Sequence, residues 1–177
     1  MRRCAVPPSQ IVVSDASVIL DLAKTRLIEA TLALPFDFVI PDVILDKELL
    51  DLGTYSPTDL VRLGFIIGTL DGDGVTTALA HFSRNASRLS FNDCVALTYA
   101  EERSCILLTG DGPLRTVATK LKIEVHGFLW AAGLMAEHGT CPRDRLIAAL
   151  QQLQSAPSTR LPQDLLNVLI GQLQRGR

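Results

Sequence analysis

The sequence predicts a three-layer α/β/α domain built on a mostly parallel sheet, and three observations predict it. Short apolar runs recur between segments of helical periodicity, the pattern of strands joined by crossover helices. The first of these runs, Ile11-Val12-Val13, is β-branched and continuously apolar, as a strand buried on both faces requires. A chain of 177 residues, 47% of them hydrophobic, holds enough material for one sizeable core and too little for two.

Strand one runs from Ile11 and ends at Ser14-Asp15. From Ser17, the spacing of Val18, Leu20, Leu22, Leu27 and Ile28 predicts helix, broken near Thr25. Phe38-Val39-Ile40 is the second strand. Pro41-Asp42 then opens a helix carrying Val43, Leu45, Leu49 and Leu50, with Gly53 as its stop. Ser56-Pro57-Thr58-Asp59 starts a short helix, with proline in the first turn and an acid three residues after the serine. Phe65-Ile66-Ile67 begins the third strand, and the turn Asp71 to Gly74 leads into a helix through Ala78, Leu79 and Phe82. Ser90-Phe91-Asn92-Asp93 caps a helix reaching about Arg103, and Cys105 to Thr109 is the fourth strand. Gly110-Asp111-Gly112-Pro113 turns into a helix with Leu114, Val117, Ala118 and Leu121, and Ile123-Glu124-Val125 is a brief fifth strand. After Gly139 two helices are predicted, about Pro142 to Gln154 and Pro162 to Gln174, joined by the polar turn Ser155 to Thr159. We read residues 1–139 as the main domain and 140–177 as a helical appendage.

Composition narrows the chemistry. Mean hydropathy is +0.26, yet charges interrupt every apolar run before the ~20 residues needed to span a bilayer, so no membrane partner is expected. Met1 to Gln10 carries Pro7, Pro8 and polar residues where a secretory signal would be apolar, and the expected location is cytoplasmic. Cys4, Cys94, Cys105 and Cys141 are scattered, and His81, His126 and His138 form no zinc spacing. The chemistry therefore falls to carboxylates. Residues 1–139 hold 12 Lys and Arg against 17 Asp and Glu, whereas residues 140–177 hold 5 against 2. A basic tail thus follows an acidic body, and Arg143 and Arg145 are its candidates for holding a polyanion.

Asp15 and Asp111 each follow a strand, and in a doubly wound sheet the ligand crevice lies at the carboxyl ends of the strands. Glu48 and Asp93 lie near helix starts that would open on the same edge. Each has a plainer reading: Asp93 and Asp111 as helix or turn caps, Glu48 as a solvated face. If the four converge, like charges would raise one another's proton affinity unless a divalent cation intervened. Mg²⁺ or Mn²⁺ suits such hard oxygen donors and can activate water against a phosphodiester.

Four segments in order carry a resemblance: Val13-Ser14-Asp15-Ala16-Ser17; Pro41-Asp42-Val43 with Glu48 downstream; Ser90-Phe91-Asn92-Asp93-Cys94-Val95-Ala96-Leu97 leading to Ala100-Glu101; and Leu107-Leu108-Thr109-Gly110-Asp111. The chain from Ile11 to His138 resembles the PIN domain family of metal-dependent nucleases, which includes the VapC-like toxins of toxin–antitoxin systems. The resemblance implies a sheet in the order 3-2-1-4-5. It implies that Asp15, Glu48, Asp93 and Asp111 form a catalytic quartet on Mg²⁺ or Mn²⁺, with Ser17 and Thr109 as polar residues beside it. It also implies RNA as substrate, an antitoxin protein as partner and a homodimer. Aspartate-nucleophile phosphatases place a second acid two residues after the first, where this chain has Ser17. The remaining alternative is a non-catalytic module binding RNA or a protein.

Overall fold

The computed structural model describes residues 10–49, 52–156 and 160–176. The N-terminal segment read above for targeting, Cys4, Leu50 and part of the Ser155 to Thr159 turn lie outside the described residues. Five strands, β1 (Gln10–Ser14), β2 (Phe36–Pro41), β3 (Ile66–Gly68), β4 (Ile106–Leu108) and β5 (Val125–His126), pair in parallel in the order β3-β2-β1-β4-β5. The fold class and strand order are those expected. β1 is central because Val12 and Val13 are fully buried, in register with Phe38 and Val39 on one side and Ile106 and Leu107 on the other.

Between β1 and β2 lie α1 (Ala16–Lys24) and α2 (Ile28–Leu32), and the expected break falls at Thr25, which caps α1. α3 (Asp42–Lys47) and α4 (Pro57–Leu63) connect β2 to β3. Ser56 and Asp59 cap α4 reciprocally, as the sequence predicted. α5 (Gly72–Asn85) and α6 (Phe91–Arg103) return across the sheet to β4. Strand bounds shift by a residue or two: β2 is longer at both ends than Phe38 to Ile40, β3 starts at Ile66 and not Phe65, β4 is one residue shorter at each end than Cys105 to Thr109, and β5 starts two residues later than Ile123. α3 also stops at Lys47, short of the expected Gly53. Leu49 turns out of helical geometry and is fully buried, so the core rather than helical periodicity takes this apolar residue.

α7 (Gly112–Lys120) joins β4 to β5, and α8 (Phe128–His138) follows. The sequence reading gave no helix at α8. Its segment Phe128-Leu129-Trp130-Ala131-Ala132-Gly133-Leu134-Met135 is apolar nearly all round and so lacks the contrast of an amphipathic helix. The reason is its position: α1 and α2 pack against it from the body, while α9 (Arg143–Ser155) and α10 (Gln163–Gln174) cover it from outside. Leu146, Leu150, Leu153, Leu166 and Leu173 are buried in the same continuous core as Val12 and Leu97. Burying one leucine contributes about 1.5–3 kcal/mol, so this packing holds α9 and α10 against α8. Among the described residues no helix is long and apolar enough to cross a membrane.

Candidate active site

In a parallel sheet a helix that directly follows a strand starts at the strands' carboxyl edge. α1, α3 and α7 follow β1, β2 and β4 in this way, and the first turn of α6 reaches the same place, since the Asp93 charge acts on Asp15 and Asn92 bonds to Glu48. Asp15, directly after β1, is the N-cap of α1, and its backbone N–H donates to the Leu108 carbonyl of β4 at 3.0 Å. That bond seats the carboxyl between the two strands where the winding reverses.

Asp15 is only 4% exposed. Its Oδ1 accepts from the Ser17 hydroxyl at 2.7 Å and from the Val18 N–H at 3.4 Å, and its Oδ2 accepts from the Thr109 hydroxyl. Burial, with a smaller contribution from the Asp93 charge, pushes its pKa from 3.8 up to about 6 against the three donors that favour the charged form. The two hydroxyls also bind the neighbouring loop: Ser17 Oγ accepts from the Gly110 N–H and Thr109 Oγ1 from the Asp111 N–H, both at 2.9 Å. Gly110 leaves room for this, since a Cβ there would stand 3.1 Å from Ser17 Oγ. Ser17 and Thr109 thus join the Asp15 carboxyl to the loop that carries Asp111.

The other acids are engaged locally. Asp111 caps α7, with Oδ1 accepting from the Leu114 N–H at 2.8 Å. Asp93, at the third position of α6, accepts from the Ser90 N–H at 2.7 Å while Ser90 Oγ receives the Asp93 N–H at 3.1 Å. Glu48 closes α3, where its carboxylate accepts from the Asn92 side-chain amide, the residue beside Asp93. Sequence reading gave Asn92 no role beyond its segment, because a bond across 44 positions leaves no local signal. Glu48 and Ser17 line one cleft of about 340 Å³.

The donor set suits a hard divalent cation in one respect. Mg²⁺ is commonly held by one or two carboxylates with water completing its shell, and Asp15 with the nearby Asp93 charge supplies that number. A cation would relieve both the burial and the like charge that hold the Asp15 proton. The structure does not gather the expected quartet, however: among the described residues no three Asp, Glu, His or Cys side chains stand together as a metal cage. Two of the acids are turned to hydrogen bonds of their own, Asp111 to its helix cap and Glu48 to Asn92.

Arg143 and Arg145 do not meet the carboxylates. Arg145 donates to the Arg26 carbonyl beyond the far end of nine-residue α1, a helix length of roughly 14 Å from Asp15. Arg143 lines a separate depression with Glu137 and Leu173. The cation that the tail brings to the cleft is Arg160, which lines it together with Ser17, Glu48 and Gly110. Its charge was visible in the sequence; its place was not, since it depends on how α9 and α10 pack.

No curated protein matches this chain. The profile described as PIN domain matches residues 11–175, which includes α9 and α10. With β1 central, the winding reversed at β1 and β4, and Asp15 buried at that reversal, the chain belongs to the PIN domain family, whose members are generally nucleases.

Proposed function

We propose that this protein is a metal-dependent endoribonuclease that hydrolyses RNA phosphodiester bonds and acts in the cytoplasm as the toxin of a toxin–antitoxin pair. The observation that carries this reading is Asp15: a carboxyl buried at the carboxyl edge, held by two hydroxyls, with its pKa raised to about 6 beside Asp93. Asp15 and Asp93 would hold Mg²⁺ or Mn²⁺, with Glu48 and Asp111 at the same edge. When bound, such a cation supplies Lewis-acid polarisation of the phosphate and an acidified water. Thr109 and Ser17 orient the Asp15 carboxyl, a supporting role whose loss typically costs 10–100-fold. Asn92 holds Glu48 at the cleft wall, and Arg160 together with Lys24 offers positive charge to the polyanion beside Asp21 and Glu48.

The test is cleavage of single-stranded RNA by the purified protein with Mg²⁺ or Mn²⁺, with chelator and with Asp15→Asn. Metal-dependent hydrolysis that falls more than about a hundredfold in the variant supports the reading, while hydrolysis indifferent to both overturns it. The dispersal of the acids among the described residues favours one second reading, a non-catalytic RNA-binding module. Binding without metal-dependent cleavage in the same assay would establish that reading instead. The toxin role adds an antitoxin protein as partner and a homodimer as the assembled form.

A further inference from the structure

Beside the carboxylate cleft lies a second one, of about 410 Å³, which shares Gly110, Arg160 and Leu161 with it. That volume is within the range of about 300–1,000 Å³ in which small-molecule sites fall. Its character differs from that of its neighbour. His126 lies flat on Trp130, with ring centroids 4.3 Å apart and planes 7° from parallel. Glu124 fixes the imidazole through Nε2 at 2.8 Å, and 28% of the His126 side chain remains exposed. Phe36 backs the indole at 5.6 Å, so the stack stands on the core.

Two cations frame the stack. Arg115 reaches across the base of the cleft, donating to the Thr109 carbonyl at 2.9 Å and the Val125 carbonyl at 3.3 Å, which occupies two of its five N–H donors. Gly127 makes this approach possible, because a Cβ there would stand 3.0 Å from the guanidinium. Arg160 lines both clefts. An aromatic platform flanked by arginines is the means by which single-stranded nucleic acid is held, base on ring and phosphate on cation.

Resting on the nuclease reading above, we propose that this second cleft binds the base of the nucleotide next to the scissile phosphate of single-stranded RNA, stacked at the His126–Trp130 pair, with Arg160 holding the phosphate between the two clefts. A base in a duplex is already stacked and paired and cannot enter, so the cleft selects unpaired RNA.

Trp130 is the chain's one tryptophan, so its fluorescence reports this cleft alone. The experiment titrates a ten-nucleotide single-stranded RNA, and its duplex, into the full chain in chelator. Trp130 emission and the anisotropy of end-labelled RNA are both followed. The single strand is expected to quench Trp130 and the duplex not to. Arg160→Gln and Trp130→Ala are each expected to weaken single-strand affinity by about tenfold or more, while Arg62→Gln, on exposed α4, leaves it unchanged. Absence of quenching, equal quenching by duplex, or wild-type affinity in Arg160→Gln overturns the proposal. Metal-dependent cleavage that persists without quenching leaves the nuclease reading standing and this site refuted. Quenching that depends on Arg160 without metal-dependent cleavage does the reverse.

Discussion

Asp15 combines two tendencies that ordinarily oppose each other: three hydrogen-bond donors favour its charge, and burial disfavours it more. Since its folded pKa of about 6 lies above the ordinary 3.8, the folded state holds the proton more tightly than the unfolded chain. Stability from this group is therefore full below about pH 4 and falls as pH rises through about 6, by roughly 3 kcal/mol. Asp15→Asn removes the titration. In chelator, the stability of that variant relative to wild type should grow by this order between pH 4 and pH 7, measured by urea unfolding; a difference that stays constant with pH refutes the assignment. Adding Mg²⁺ or Mn²⁺ at pH 7 should raise the melting temperature of the wild type and leave Asp15→Asn almost unmoved, because only the ionised carboxylate gains from the cation. Thr109 offers the companion prediction. It is fully buried, its hydroxyl bridging Asp15 and the Asp111 N–H. Thr109→Val keeps the shape and should cut hydrolysis about 10–100-fold, whereas Thr109→Ser, which keeps the hydroxyl, should restore most of it. Equal activity in the two variants would make Thr109 merely core.

The elements most legible in the sequence are those with local chemistry at their ends. Ser56 and Ser90 each announce a helix through a serine and an acid three residues on, and both reciprocal caps form. Ser90→Ala removes the hydroxyl that accepts the Asp93 N–H and should cost about 1 kcal/mol in urea unfolding, while the Ser90 N–H that holds the Asp93 carboxylate remains and hydrolysis stays near wild type. Asp93→Asn, which keeps the shape and removes the charge, should cut hydrolysis sharply; unaltered hydrolysis in that variant would show Asp93 to be a cap residue and nothing more. Where the signal is not local, sequence reading misplaces the element. Leu49 continues an apolar pattern yet leaves α3 for the core, which puts Glu48 at the end of its helix and not near the start. α8 is enclosed by four other helices, so its apolar residues carry no period. The carboxyl-edge placement of Asp15 and Asp111 was legible because each directly follows a strand, whereas Glu48 at the end of α3 and Asp93 on the second helix of its crossover are brought near by packing. The Asn92 bond to Glu48 and the arrival of Arg160 depend on contacts between residues far apart in the chain, and no spacing rule contains them.

At the scale of the molecule, exposed apolar side chains lie along the β3 edge and on α10, and the carboxyl edge carries the charged cleft. The basic tail folds over α8 and returns one cation to the acidic carboxyl edge. Five of the exposed apolar residues, Val61, Leu63, Ile66, Val75 and Leu79, belong to the consecutive elements α4, β3 and α5, while Leu121 follows α7 and Leu165 and Val168 lie on α10. β3 is an edge strand of the sheet, so its outer side has no partner strand among the described residues. Natural edge strands are ordinarily blunted by charge or cover, and Ile66, 48% exposed, lies on this one. A two-fold interface presents one patch to its own copy and removes such an edge from water. The expected assembly is accordingly a homodimer joined through α4, β3 and α5, which leaves the carboxyl-edge clefts of both subunits open to RNA. Sedimentation equilibrium at about 10 μM should give twice the 19.2 kDa chain mass, and Leu79→Lys with Ile66→Lys should return it to the single-chain mass with the fold intact. Because a dimer dissociates on unfolding, the wild-type melting temperature should also rise with protein concentration while that of the double variant does not. A wild type that sediments as one chain at this concentration overturns the dimer, and a double variant that still sediments as two places the interface on another face.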